Sequence, residues 1–287
     1  MLRKMMISGV ALVGLTGLAS AADLAFKAPP PVYVPTWTGC YVGGHVGYGR
    51  EESTSSINGY TPIDTDFYPS TIVQGFNNNG VAGGAQGGCQ YQTGNFLWGI
   101  EGDWTSFSNS ASKSVTNSQN YNDGPDDYYN STSTYNETLS KSSLWSVRAR
   151  FGMITSDVFH LYGTVGVGGE KASATVSATY NTSYLGGSYC YEDPNYYCGS
   201  GAASVSKNSV GVVAGIGAEW KVWSNVIIGA EWLHYALAND VAIPTGNNCY
   251  YCNGTYGANT FTQGSSVHFG DVDVVRFRAS YLFNFGR

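Results

Sequence analysis

The sequence predicts an all-β protein: an eight-stranded, antiparallel, up-and-down β-barrel that crosses a membrane. Three observations predict it. First, from Asp271 to Phe285 every second residue is apolar (Val275, Phe277, Ala279, Tyr281, Phe283, Phe285), while Arg276, Arg278, Ser280 and Asn284 lie between. Alternation of period two marks a strand with one apolar and one polar face. About ten such residues suffice to cross a bilayer as a tilted strand. Second, seven further segments of about ten to twelve residues alternate in the same way. Third, the connections between them are alternately short and long, as in a barrel with short periplasmic turns and long extracellular loops.

Composition agrees. Charged residues make up 12% of the 287, against 38 Gly, 22 Tyr and 7 Trp. No uninterrupted apolar run reaches the length of a membrane-crossing helix, which needs about 18 residues. The formal charge of −6 and a pI near 5.1 argue against nucleic acid as a partner.

In chain order, residues 1–21 read as a secretory signal peptide. Arg3 and Lys4 form its basic start, Met5 to Leu18 its apolar core, and Ala19-Ser20-Ala21 its small-residue cleavage site. Cleavage after Ala21 leaves a net charge of −8, because two basic and no acidic residues are removed. Residues 22–36, with Pro29-Pro30-Pro31 and Pro35, form an extended periplasmic lead-in, since proline suits neither helix interiors nor inner strands. The barrel occupies 37–287. Its strands are expected at 38–49, 81–92, 96–107, 143–154, 159–172, 208–221, 226–237 and 271–285. Short turns fall at 93–95, 155–158 and 222–225, and long polar loops at 50–80, 108–142, 173–207 and 238–270. The chain is therefore expected in the outer membrane, against lipid and lipopolysaccharide, with its loops free to meet an extracellular ligand.

Trp37-Thr38-Gly39-Cys40-Tyr41-Val42-Gly43-Gly44-His45-Val46-Gly47-Tyr48-Gly49 resembles the opening of small alphaproteobacterial outer-membrane barrels of the porin-like or immunogenic outer-membrane protein family. Ala22-Asp23-Leu24 with Lys27-Ala28-Pro29-Pro30-Pro31 resembles that family's mature N-terminus, and Val275-Arg276 to Phe285 its closing strand. The resemblance spans nearly the whole mature chain apart from the loops. It implies an eight-stranded barrel, and a closing strand whose Tyr281, Phe283 and Phe285 act as the signal read by the barrel-assembly machinery. Members serve structural, adhesive, pore or haem-binding roles, so fold alone leaves function open. Cys40 departs from the family's usual aromatic residue, and Gly286-Arg287 follow the terminal Phe285.

Parity assigns each strand residue a face. Glu101, Asp103, Arg148, Arg150, Glu170, Glu219, Glu231, Arg276 and Arg278 fall inward, and Trp98, Ile100, Trp104, Trp145, Val147, Phe151, Val212, Ile216, Trp220, Ile228 and Trp232 outward. An eight-stranded barrel is just wide enough for side chains to fill it. Five acids and four arginines in that space predict an interior ion-pair network. A structural plug explains the near-balance of charge better than a catalytic pair or proton path, because no nucleophile lies among these residues.

No catalytic or metal site emerges. His45, His160, His234 and His268 sit in four separate segments, without ligand spacing. His234 lies near the outer rim but without a local serine and acid. The loop tyrosines, among them Tyr128-Tyr129, Tyr189, Tyr191, Tyr196-Tyr197 and Tyr250-Tyr251, could ligate haem, though they read better as an adaptable contact surface. No cofactor is expected. The preferred role is that of a surface and structural protein, and a narrow ion channel is the alternative. Six cysteines in an oxidising compartment allow fifteen pairings. Proximity favours Cys190 with Cys198 and Cys249 with Cys252, or pairs between those two loops. Cys40 and Cys89 share the outward face on neighbouring strands near the periplasmic end, so a cross-strand disulfide is expected.

Overall fold

The computed structural model describes residues 36–63, 66–124, 127–184, 187–188, 199–248, 259–261 and 264–283. The preceding unit, Met1–Val34, lies outside them, and with it the predicted signal peptide and most of the lead-in. The strands are β1 (Gly39–Ile63), β2 (Asp66–Thr93), β3 (Phe96–Gly124), β4 (Asp127–Ser156), β5 (Phe159–Tyr184), β6 (Gly187–Ser188), β7 (Gly199–Lys221) and β8 (Val226–Ala236). Short β9 (Asn239–Ala242), β10 (Gly246–Asn248), β11 (Asn259–Phe261) and β12 (Ser266–Phe269) precede the closing β13 (Val272–Phe283). The eight long strands pair antiparallel in the order β1, β2, β3, β4, β5, β7, β8, β13, and β13 returns to β1 from Cys40↔Phe283 to Glu51↔Val272.

Local sequence sets these elements. The β2–β3 connection is a two-residue turn in which Gly94 adopts φ +59°, a conformation that glycine takes without Cβ strain. Burial alternates strictly along β13, from buried Val272 to exposed Phe283. Among the large residues on the outer face, Trp98, Trp104, Ile216, Trp220, Val275 and Phe277 are each more than half exposed. A continuous apolar exterior of this kind is unfavourable in water and favourable in lipid.

The long loops predicted at 50–80, 108–142 and 173–207 differ most from the structure. The β1–β2 ladder continues to Ile63↔Asp66, and the β3–β4 ladder to Gly124↔Asp127. The β5–β7 ladder continues to Tyr180↔Gly199. Part of the reason lies in the side chains: Ser131 and Ser133 point inward on β4 and Thr132 and Thr134 outward, so both faces are polar there and the alternation is lost over that stretch. Among its described residues the fourth segment, 238–270, carries β9 to β12, of which β9 and β12 extend the sheet beside β1. Closure of the ring also breaks off on one side: β2 pairs with β3 only from Val81↔Ser108 to Thr93↔Phe96, leaving a seam between them towards the hairpin ends.

A closed ring has no free strand edge where all eight strands pair and resists detergent. Unboiled protein is therefore expected to migrate differently from boiled protein on a detergent gel; identical migration would count against closure.

Candidate functional site

The interior of the ring is the site. Inward positions on β3, β4, β7, β8 and β13 bring Glu101, Asp103, Glu219 and Glu231 together with Arg148, Arg150, Arg276 and Arg278, all buried. Arg148 is the hub. Its Nη2 donates to Glu101 Oε1 at 2.7 Å and Asp103 Oδ2 at 2.9 Å, and its Nη1 donates to Glu231 Oε1 at 2.9 Å. Arg276 closes the other side, donating to Glu231 Oε2 at 2.8 Å from Nε and to Asp103 Oδ1 at 3.0 Å from Nη1. Arg150 Nη2 reaches Glu219 at 2.7 Å. Arg278 donates to both oxygens of Glu101, and its Nε lies 3.2 Å from Glu219 Oε1. Four guanidinium groups thus face four carboxylates, so this core carries no net charge when all are ionised. Desolvating charges is costly, and forked pairing with charge balance is what offsets it.

Aromatic residues complete the core. The Tyr41 hydroxyl donates to Glu101 Oε2 at 2.5 Å and accepts from Arg150. Arg150 lies 3.9 Å over the Tyr162 ring. Tyr162 needs the space left by Gly217, where a Cβ would sit 2.4 Å from its ring. Parity alone places Tyr41 inward, but its role depends on partners that the sequence does not reveal.

Apolar layers close both ends. At the turn end, Trp37, Leu97, Ile227 and Leu282 cluster with Tyr41. Trp37 is fully buried: its backbone N–H donates to Gln92 Oε1 at 2.8 Å, His160 packs edge-on at 4.5 Å, and Lys221 lies 4.3 Å over its ring. Towards the hairpin ends, Phe107, Leu144, Val213, Leu233, Tyr235 and Val274 form a second layer. A third cluster, with Ile57, Phe76, Tyr135, Leu139, Val176 and Phe269, fills the hairpin extensions.

Glu170 is the one predicted network residue that stands apart from the arginines. It pairs with Lys141, which also holds Glu51 at 2.9 Å. The sequence reading missed this triad because Glu51 and Lys141 lie on strand extensions read as loops.

The histidines divide. His45 is buried, its Nδ1 2.7 Å from Gln86 Oε1 and its Nε2 2.9 Å from Thr105 Oγ1. His160 Nε2 lies 3.4 Å from Glu219 Oε2. At the rim the structure brings to His234 the acid that local sequence lacked: Asp273 Oδ1 is 3.0 Å from its Nδ1. Asp271 accepts from the N–H groups of Leu237 and Ala238 at 3.0 and 2.9 Å, so it caps the end of β8. His268 pairs with Asp240 at 2.8 Å. Among the described residues no three His, Cys, Asp or Glu converge as metal ligands.

Cys40 and Cys89 are register partners and form a disulfide, with Cα atoms 3.9 Å apart. Cys190, Cys198, Cys249 and Cys252 lie outside the described residues, as do Phe285, Tyr189, Tyr191, Tyr196-Tyr197 and Tyr250-Tyr251. Tyr281 and Phe283 face outward on β13, with ring centroids 5.0 Å apart.

A family model described as "Outer membrane protein beta-barrel domain" matches residues 9–269. No curated protein matches the chain. Among solved structures, Ail, the attachment invasion locus protein of Yersinia pestis, shares 14% identity over 86% of this chain and 99% of its own, at TM-score 0.32. OprG of Pseudomonas aeruginosa shares 11% over 86% and 97%, at 0.40. Neisserial surface protein A shares 12% over 86% and 98%, at 0.30. Likeness at this level says nothing about role.

Proposed function

Because the chain belongs to the outer-membrane protein β-barrel family, we propose that it is a non-enzymatic surface protein of the outer membrane, with a structural and surface-interaction role and an interior that passes no steady current. In this reading the eight long strands form the transmembrane up-and-down barrel, the short turns face the periplasm, and the hairpin extensions project outward to meet an extracellular ligand. The aromatic exterior meets lipid and lipopolysaccharide, the signal peptide leaves after Ala21, and the closing strand engages the barrel-assembly machinery.

One observation carries the reading. A charge-balanced core of buried arginines and carboxylates is capped by the Trp37 layer on one side and the Phe107–Tyr235 layer on the other. An ion crossing the ring would have to displace paired charges and then pass two apolar layers, each of which penalises an unpaired charge. Planar-bilayer recording on the folded protein tests this. The expected result is no steady conductance; stable unitary steps would instead favour a narrow channel.

A further inference from the structure

Beyond the seam's last shared pair, Val81↔Ser108, β2 continues paired with β1 alone and β3 with β4 alone. Two lysines bridge the arms: Lys141 on β4 pairs with Glu51 on β1, and Lys113 Nζ on β3 donates to the carbonyl oxygen of Gly75 on β2, 5.4 Å over the Phe76 ring. Directly opposite Lys113 on β4 is Glu137. Opposed residues of an antiparallel pair share a face, with Cβ atoms about 4.5–5.5 Å apart, so a rotation of the lysine side chain away from Gly75 would bring its ammonium to that carboxylate.

Glu137 is fully buried, and neither carboxylate oxygen has a hydrogen-bond partner among the described residues. The Ser55 hydroxyl is its polar neighbour from β1. The other ionisable groups around it are engaged. On β4, Lys141 is held by Glu51 of β1 and Glu170 of β5. The Tyr135 and Tyr180 hydroxyls bond each other at 3.1 Å. β2 offers only Gln74 and Asn78, which are uncharged, and His268 of β12 is exposed and paired with Asp240.

We propose that Glu137 and Lys113 form a proton-operated latch on this seam. With Glu137 protonated, Lys113 bridges to Gly75 and holds the β1–β2 arm against the β3–β4 arm. With Glu137 ionised, Lys113 turns to its cross-strand carboxylate and releases Gly75. A buried carboxylate without a partner is costly, and that cost draws the ammonium across. Burial holds the Glu137 carboxyl up, from its ordinary 4.5 to about 7, with Ser55 countering part of the rise. The folded chain therefore keeps a proton that the unfolded chain gives up. The stability this lends is full below the unfolded value and is lost as pH rises through about 7.

The test is NMR of protein carrying isotopically labelled lysine, folded in detergent micelles and titrated from acid to mildly alkaline pH, with the Lys113 signal assigned through Lys113→Met. The expected result is an inflection of the Lys113 ammonium near neutral pH that disappears in Glu137→Gln. Ser55→Ala removes the hydroxyl that favours the ionised carboxylate, so it should shift the inflection to higher pH; it also serves as the test should Glu137→Gln fail to fold. A flat Lys113 signal in the unsubstituted protein, an inflection that survives Glu137→Gln, or one that Ser55→Ala leaves in place or lowers would overturn the latch.

Discussion

Arg148→Ala is expected to destabilise the folded chain by roughly 3–5 kcal/mol, the cost of breaking a buried ion pair by removing one partner. Arg148 contacts Glu101, Asp103 and Glu231 at once, from a fully buried position. The core holds four carboxylates against four arginines, so the substitution leaves one negative charge without its counterpart. Arg276 and Arg278 are already engaged and have little freedom to cover it. Arg50 gives the contrast: its pair with Glu52 is about two-thirds exposed on both sides, and Arg50→Ala should cost only about 0–1 kcal/mol. Urea unfolding of the two variants in the same detergent measures the difference. Equal midpoints would mean that water reaches Arg148.

Replacing both Cys40 and Cys89 by serine should cost about 2–4 kcal/mol, as expected for loss of a disulfide that restricts the unfolded chain. The bond closes a sequence separation of 49 residues, long enough for the unfolded ensemble to gain appreciable freedom when it is cut. In the folded ring the β1–β2 ladder continues on both sides of the pair, at Gly39↔Gln90 and Tyr41↔Gly88, so the native structure should persist and the loss should appear as a lower urea midpoint. Reduction of the unsubstituted protein should reproduce the shift. Peptide mapping without reduction checks the premise, since recovery of both cysteines as alkylated thiols would show that the bond does not form.

The sequence by itself determined which way each side chain faces in the eight-stranded ring. Parity is a local property of a strand: once Val275, Phe277 and Tyr281 share one face, Arg276 and Arg278 must share the other. The same reasoning read the inward acids on β3, β7 and β8 and the outward tryptophans. It put Cys40 and Cys89 on one face but could not fix their register, because a slip of two residues preserves parity and separates the sulfurs. Only the tertiary structure decided which charges meet. Arg148 reaches Glu231, 83 positions away, across the ring interior, and that encounter depends on closure of β13 onto β1 and on the stagger of every strand between. The structure alone also turned the polar stretches into paired hairpins, joining Glu51, Lys141 and Glu170 and setting Lys113 opposite Glu137. Over much of those stretches serine, threonine and asparagine occupy both faces, as at Ser131 to Thr134, so hydrophobic contrast is too weak there to specify a strand. Backbone hydrogen bonding continued from the ring below specifies it instead, except along β5, where Ala172, Ala174, Val176, Ala178 and Tyr180 carry a buried period-two row into the extension.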